Sequence, residues 1–291
     1  MLLTIFTPTY NRAYILSNLY KSLLDQTCKD FEWLIIDDGS VDDTKKLVDV
    51  FILEAKLDIK YIKTLNAGKH IAINKGVVEA KGELFFIVDS DDDLPQNSVY
   101  DILSKYKKIQ ADKNIAGLIG RRGNKNNTVI GNKGDYTELV TNAIEFRYSY
   151  KIAGDMAEVV KTEVLKKYKF PKFENEKFCP ESLIWNRIAL NYDFLWFNEV
   201  VYNCEYLEDG LTSNSIKIRM KSPKTSMLYY AELARYKIPL KEKLKAIINY
   251  WRFSFNTNLS ISKKNKNVSF LPSLVCMPLG YMMYRKDKLK I

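Results

Sequence analysis

This 291-residue chain is poor in the side chains that most often bind transition metals, with one histidine, His70, and four cysteines, Cys28, Cys179, Cys204 and Cys276. No two cysteines form a CxxC pair, so neither a zinc site nor a disulfide framework is written in their spacing. Their scatter suits a reducing compartment. A single histidine at a predicted helix start reads as a capping or surface residue, and His70 is left out of the catalytic set. Apolar runs are short. The longest, Phe270 to Tyr284, has fifteen residues with two prolines and a glycine, whereas a transmembrane helix needs about 20 apolar residues. The N-terminus, MLLTIFTPTYNR, has no basic region before its apolar residues and is expected to enter a strand rather than serve as a signal peptide. No GxGxxG and no GxxxxGK[ST] follows any predicted strand, which excludes a classical dinucleotide fold and a P-loop.

What is present is a regular alternation. Leu2 to Thr7 reads as a strand that stops at Pro8, with TPTYNR as a loop. From Ala13 onward Ile15, Leu16, Leu19, Leu23 and Leu24 fall at helical spacing. Phe31 to Ile36 is a second strand, Thr44 to Leu57 a helix, Ile59 to Lys63 a strand and Lys69 to Glu79 a helix. The apolar run Leu84 to Val88 is a fourth strand. Strands alternating with helices imply a parallel, doubly wound α/β sheet. Further on, the pattern predicts a helix over Val99 to Ala111 and a strand over Ile115 to Ile119. Residues 120–135, rich in Gly, Asn and Lys, read as a loop, and residues 137–170 as mostly helical with a break at Ala153 to Asp155. Glu181 to Asn191 is expected to be a helix, and Phe194 to Phe197 and Val200 to Glu205 strands.

Carboxylates gather at two predicted strand ends, Asp37-Asp38 and Asp89-Ser90-Asp91-Asp92-Asp93. In an open α/β sheet ligands bind beyond the carboxyl ends of the strands. Packing like charges there is unfavourable unless a cation relieves them, and hard oxygen ligands suit Mg²⁺ or Mn²⁺. The expectation is a divalent metal serving a phosphorylated ligand; the competing reading is a solvated acidic turn.

The ordered set Thr7-Pro8-Thr9-Tyr10-Asn11-Arg12, Ile35-Ile36-Asp37-Asp38-Gly39-Ser40, Asn66-Ala67-Gly68-Lys69 and Val88-Asp89-Ser90-Asp91-Asp92 resembles the family 2 inverting glycosyltransferases of bacterial capsule, lipopolysaccharide and exopolysaccharide synthesis. The resemblance implies the GT-A, or nucleotide-diphospho-sugar transferase, fold: a doubly wound, mostly parallel sheet, here over residues 1–215, with a helical extension at 216–291. It implies a nucleotide-diphosphate sugar donor, UDP-linked, and a glycan or lipid-linked acceptor. Thr7, Pro8, Asp38, Lys69 and Asp89 would bind the donor, and Asp91 with Asp89, the Asp-x-Asp motif, would hold Mg²⁺ or Mn²⁺.

Inverting transfer needs a base for the acceptor hydroxyl. The family keeps an acidic residue for this at a helix start well after the metal motif, which here corresponds to Glu181, with Ser182 where a second acid often stands. Glu174 and Glu176 are the alternatives. Asp155, in a predicted helix break, is a candidate sugar or acceptor contact, and Arg219 or Lys217 a candidate for the leaving diphosphate. A sugar nucleotidyltransferase would carry a Gly-rich loop after its first strand, which TPTYNR is not. A non-catalytic nucleotide-sugar-binding homologue is the other alternative.

The net charge of +10 is unevenly spread. Residues 217–291 hold 17 Lys/Arg against 3 Asp/Glu, or +14, which leaves −4 for residues 1–216. A basic, amphipathic extension is expected to meet an anionic surface. No nucleic-acid-binding module is recognisable, so peripheral contact with membrane lipid, at the cytoplasmic face of the plasma membrane, is the expectation; basic helices packed on the catalytic domain are the alternative.

Overall fold

The computed structural model describes residues 2–124, 128–132, 134–204 and 215–289. The elements run β1 (Leu3–Thr9), α1 (Leu16–Leu24), β2 (Phe31–Asp37), α2 (Thr44–Leu53), β3 (Ile59–Lys63), α3 (Lys69–Glu79), β4 (Leu84–Ile87), α4 (Ser98–Ile109), β5 (Ile115–Gly123), β6 (Glu138–Thr141), α5 (Ala143–Tyr148), β7 (Met156–Lys161), α6 (Thr162–Leu165), α7 (Ser182–Ile188) and β8 (Asp193–Asn203). Five helices follow: α8 (Ser215–Lys221), α9 (Pro223–Arg235), α10 (Leu240–Ser254), α11 (Ile261–Asn265) and α12 (Phe270–Lys288). Two compact units result, Met1–Lys169 with Arg187–Glu205, and Phe170–Asn186 with Tyr206–Ile291.

The first unit is built on an eight-stranded sheet in the order β3-β2-β1-β4-β7-β5-β8-β6. β1 pairs in parallel with β2 and β4, β2 with β3, and β5 with β8. The mostly parallel, doubly wound α/β arrangement expected from the alternation is therefore present. Every residue of β1, β2 and β4 is buried, the signature of strands covered by helices on both faces. α1 shows how the covering is encoded: Leu16, Leu19, Tyr20 and Leu23, three and four apart, are its buried residues. Tyr20 stacks on Phe51 of α2, with ring centroids 4.0 Å apart, and both lie near Trp33 of β2.

The structure corrects several expectations. Thr7 and Pro8 are not loop residues; they lie inside β1, which runs to Thr9. Residues 137–170 hold two strands as well as short helices. β7, read as helix, lies between β4 and β5 and is antiparallel to both. Its adjacent Val159 and Val160 are both fully buried, and such β-branched residues fit a strand covered on both faces whatever the local helical pattern suggests. β5 continues through Arg121 and Arg122 to Gly123, where a loop was expected, and Arg121 is fully buried. Phe194–Phe197 and Val200–Asn203 belong to one strand, β8, whose pairing with β5 shifts register three times; Glu205 lies outside the described residues.

The second unit packs α9, α10 and α12 around Met227, Ala231, Ile247, Tyr250, Trp251 and Cys276. Gly280 lets α12 approach α10 closely, since a Cβ there would stand 2.7 Å from Trp251 Cβ and 2.8 Å from the Ile248 carbonyl oxygen. Near the end of the same pair, buried Arg252 and Asp287 form a two-pronged ion pair, Nε to Oδ2 at 2.5 Å and Nη2 to Oδ1 at 2.8 Å. Glu176 accepts the Lys224 and Thr225 backbone N–H groups, at 2.7 and 2.8 Å, and so caps α9.

His70 proves to be a core residue, 2% exposed on α3, and burial lowers its pKa to about 4. Its native pKa lies below the unfolded value of about 6.5, so the stabilising effect of the neutral ring is complete above that value and is lost as pH falls from 6.5 toward 4. We expect wild type to lose roughly 2–3 kcal/mol more unfolding free energy than His70→Gln between pH 7 and pH 4.5 in urea titrations. Parallel pH profiles of the two proteins would refute this, and NMR of the single imidazole reads its pKa directly.

Candidate active site

The carboxyl ends of β1, β2, β4, β5 and β8 share one edge of the sheet, because these strands all run in one direction. β7 starts at the same edge, since it is antiparallel to β4. The carboxylates of the two strand-end clusters therefore collect in one place, and each has a distinct local anchor.

Asp37, the last residue of β2, is spent on the fold. One oxygen accepts the Ser40 backbone N–H at 2.7 Å and the other accepts the Tyr61 hydroxyl hydrogen. Asp38 holds the start of α3: its Oδ1 accepts the Ala67 N–H at 2.7 Å and its Oδ2 the Gly68 N–H at 2.8 Å. Two turns make this clamp possible. Gly39 has φ +85 and Gly68 has φ +98, both in the left-handed region that favours glycine. The clamp fixes Lys69, the first residue of α3, whose ammonium lies 2.5 Å from Asp89 Oδ1.

After β4 the chain turns, and Val88 donates its N–H to the Phe6 carbonyl. Asp89 and Asp91 then face cations: Lys69 for the former and Arg12, with Nη2 3.6 Å from Oδ2, for the latter. Burial works against a charged Asp89, but Lys69, Arg122 and Arg12 outweigh it and hold this carboxyl below the usual range. Asp91 shifts the other way, raised by burial and by the neighbouring charge of Asp89. Asp92, 7% exposed, is pushed up to about 7 by burial and by Asp89.

Tyr202 of β8 ties the cluster together. Its hydroxyl accepts the Asp89 backbone N–H at 2.9 Å and donates to Asp92 Oδ2 at 2.6 Å. Arg122 lies over its ring, 4.1 Å from the centroid, and donates from Nε to the Met156 carbonyl at 2.7 Å. Asp93 is held by reciprocal backbone hydrogen bonds with Asn203 and by the Asn203 side-chain amide at 3.0 Å. Asp92 and Asp93 thus fix the loop, leaving Asp89 and Asp91 as the half-buried pair.

Of the residues singled out in the sequence, the structure brings Asp38, Lys69, Asp89 and Asp91 to this edge. Asp155 is exposed immediately before β7, which begins there. Thr7 is fully buried in β1, and its hydroxyl accepts the Trp33 indole N–H at 2.9 Å; Pro8 is buried beside it. Glu181 and Arg219 lie in the second unit. Glu181 stands one residue before α7, and its carbonyl accepts the Ile184 N–H at 2.9 Å. The Arg219 guanidinium faces the rings of Phe178, Tyr229 and Tyr230 at 5.2, 5.6 and 5.6 Å. Among the alternatives to Glu181, Glu174 is exposed, whereas Glu176 is engaged as the α9 cap. Sequence reading gave no role to Arg12, Arg122 or Tyr202. Arg12 was within reach, lying in the TPTYNR stretch, but nothing local announces that β5 and β8 pair.

Among the described residues no group of three or more His, Cys, Asp or Glu side chains is arranged to hold a metal ion. The available donors are carboxylate oxygens whose mutual repulsion is already visible at Asp91 and Asp92. That set fits a hard divalent cation bound through one or two carboxylates, with phosphate oxygens and water as the remaining ligands.

The family model described as Glycosyl transferase family 2 matches residues 4–167. A GalNAc(5)-diNAcBac-PP-undecaprenol beta-1,3-glucosyltransferase of Campylobacter jejuni is 30% identical over 186 residues, covering 63% of this chain and 58% of that protein. An uncharacterized glycosyltransferase of Haemophilus influenzae is 26% identical over 182 residues, covering 61% of this chain and 69% of that protein. Among solved structures, S. aureus TarS 1-349 in complex with UDP-GlcNAc matches with a TM-score of 0.66 at 19% identity, over 96% of this chain and 79% of that one. The mannosyltransferase PcManGT from Pyrobaculum calidifontis, in complex with GDP-Man and Mn2+, matches with a TM-score of 0.59 at 17% identity, over 98% and 87% of the two chains. At such identities these likenesses establish the fold, which is the GT-A fold with added C-terminal helices. The match spans little more than half the length of the Campylobacter relative.

The Asp38 clamp makes a stability prediction. Asp38→Ala leaves the Ala67 and Gly68 N–H groups without their acceptor, so unfolding free energy should fall by about 1–3 kcal/mol in urea denaturation. An unchanged midpoint would mean that the clamp contributes nothing to the start of α3.

Proposed function

Because this chain belongs to glycosyl transferase family 2, we propose that it transfers a sugar, with inversion, from a nucleotide-diphosphate donor to a glycan or lipid-linked acceptor in surface polysaccharide synthesis. The observation that carries this reading is the half-buried Asp89–Asp91 pair, flanked by Lys69 and Arg12, at the carboxyl edge of the sheet. The lipid-linked acceptor is supported by the name of the Campylobacter relative, and a UDP-linked donor by the ligand of TarS. Mg²⁺ or Mn²⁺ as cofactor is supported by the oxygen donors of the pair and by the Mn2+ of the mannosyltransferase complex. Catalysis is assigned to a domain over residues 1–215, with 216–291 as its extension.

In this mechanism the acceptor hydroxyl oxygen attacks the anomeric carbon from the face opposite the diphosphate. A carbon–oxygen bond forms as the bond to the β-phosphate breaks, and the configuration inverts. Glu181 takes the hydroxyl proton. It stands one residue before α7. The leaving nucleoside diphosphate gains charge. A divalent cation held by Asp91 and Asp89 would supply Lewis-acid stabilisation of that charge. Lys69 and Arg12, paired with those aspartates, bring positive charge to the same edge for the anionic groups of the donor. Asp38 and Asp89 serve the nucleoside end, together with Thr7 and Pro8 of β1. For Thr7 the contribution is positional, since its hydroxyl is occupied by Trp33. Asp155 is proposed for the sugar or acceptor and Arg219 for the diphosphate.

Incubating the purified protein with a panel of nucleotide sugars and measuring nucleotide release tests the reading. Asp91→Ala should lower turnover at least about 100-fold and abolish its metal dependence; unchanged turnover and unchanged dependence would remove the metal site. Glu181→Gln should keep donor binding while turnover falls by roughly 10²–10⁴. Full activity in that variant would move the base to Glu174 or Asp155.

A further inference from the structure

α12 carries apolar residues on two opposite faces. One face packs on α10 through the buried Ser273, Cys276 and Gly280. On the other, Leu271, Leu274, Val275, Leu279 and Met282 recur three and four residues apart, the spacing of a single helix face. They are exposed, with Leu271 at 76%, Val275 at 68% and Met282 at 61%. A contiguous apolar stripe of this kind marks a contact surface rather than ordinary scatter. No helix among the described residues is long and apolar enough to cross a membrane, so a bilayer would be met from the side.

Two further observations specify what the stripe meets. The first is charge. Exposed Lys263 and Lys266 lie before α12, and Arg285, Lys286 and Lys288 on its last turns. Residues 217–291 hold three acids; Asp287 is buried in its pair with Arg252, and Glu242 is paired with Lys245. A second copy of this chain would bring the same positive field to the stripe, which disfavours self-association. The second observation is a cleft of about 530 Å³ at the C-terminal end of the stripe, lined by Phe255, Tyr281, Tyr284, Arg285, Lys288 and Leu289. Phe255 and Tyr281 meet edge to face at 5.1 Å, and Arg285 Nη1 donates to the Tyr281 hydroxyl at 3.4 Å. Aromatic rings beside cations at the end of an apolar stripe match the layering of a bilayer interface, acyl chains below and phosphate headgroups above.

We propose that α12 lies in the plane of an anionic phospholipid membrane, with the Leu271–Met282 stripe among the acyl chains and Arg285 and Lys288 on lipid phosphates. Basic side chains at such a surface add electrostatic attraction to anionic lipid, and the contribution is screened by salt.

The test is flotation of the full chain with vesicles of phosphatidylcholine alone or with about one-third phosphatidylglycerol, an anionic fraction large enough to set the surface potential. No donor or acceptor is present, so the result is independent of sugar transfer. Wild type should float with the anionic vesicles and, to a much smaller extent, with the neutral ones. Val275→Glu/Leu279→Glu should reduce bound protein at least about tenfold, with an unchanged circular dichroism melt. Arg285→Glu/Lys288→Glu should lose the preference for anionic lipid while the first pair of sites stays intact. Equal flotation of wild type and the Val275/Leu279 double variant would overturn the proposal. So would a wild-type protein that ignores both vesicles and sediments as a dimer that the same double variant dissociates; the stripe would then be an interface between copies.

Discussion

Asp89, Asp91 and Asp92 occupy one strand end within four residues, and the rest of the site is shaped by the need to relieve their repulsion while they are partly withdrawn from water. The relief comes from separate elements. Lys69 arrives at the start of α3, Arg12 from the loop after β1, and Arg122 from the end of β5. Tyr202 serves from β8, donating to Asp92 while receiving the Asp89 N–H. The three carboxyls respond unequally. Asp89, beside Lys69 and Arg122, is held ionised; Asp91 and Asp92 are driven toward the neutral form by burial and by the charge of Asp89. A site in this condition gains free energy from any cation that adds charge without displacing the loop.

That dependence explains where sequence reading succeeded. Over residues 1–95 each strand is short, apolar and followed by its own helix, so local pattern and tertiary pairing agree. β1 to β4 come out nearly in place, and the acids at their ends point to the site. Beyond Pro95 pairing is no longer sequential. β7 reads as helix by its neighbours and becomes a strand because the sheet between β4 and β5 has a place for it. Arg121 and Arg122 read as loop because a strand interior is a poor place for charge; Arg121 is kept there by Asn198, whose Oδ1 accepts from Nε at 2.8 Å, and by the Tyr136 ring. The Arg122–Tyr202 contact follows from β5 pairing with β8, about eighty residues on, and one sequence carries no local trace of it.

Glu176 teaches a related lesson about acids in irregular segments. By sequence Glu181 is the expected base, with Glu174 and Glu176 as the alternatives. The structure sets Glu176 apart by what its carboxylate already does. Glu176 gives both oxygens to the first turn of α9 and to the Thr225 hydroxyl. A carboxylate held by three donors has both oxygens engaged and its orientation fixed. Elimination of this kind rests on hydrogen-bond accounting, which composition and spacing do not supply.

In the second unit the same accounting bears on α12. Its rotation about its own axis is not free. Gly280 must face α10, because a side chain there would collide with Trp251 and the Ile248 carbonyl. Asp287, two turns on, must face Arg252, since either charge left alone in that buried position would be strongly destabilising. These two constraints lie on one side of the helix and set its register. The leucines and Val275 on the far side are thereby committed to the surface, however unfavourable water is for them. Pro278 falls on that outer side too, and the helix continues through it. Polar residues at those five positions would leave the α10 contact untouched. The apolar stripe at helical spacing beside basic residues is therefore a feature of the surface, separable from the packing that holds the helix in place.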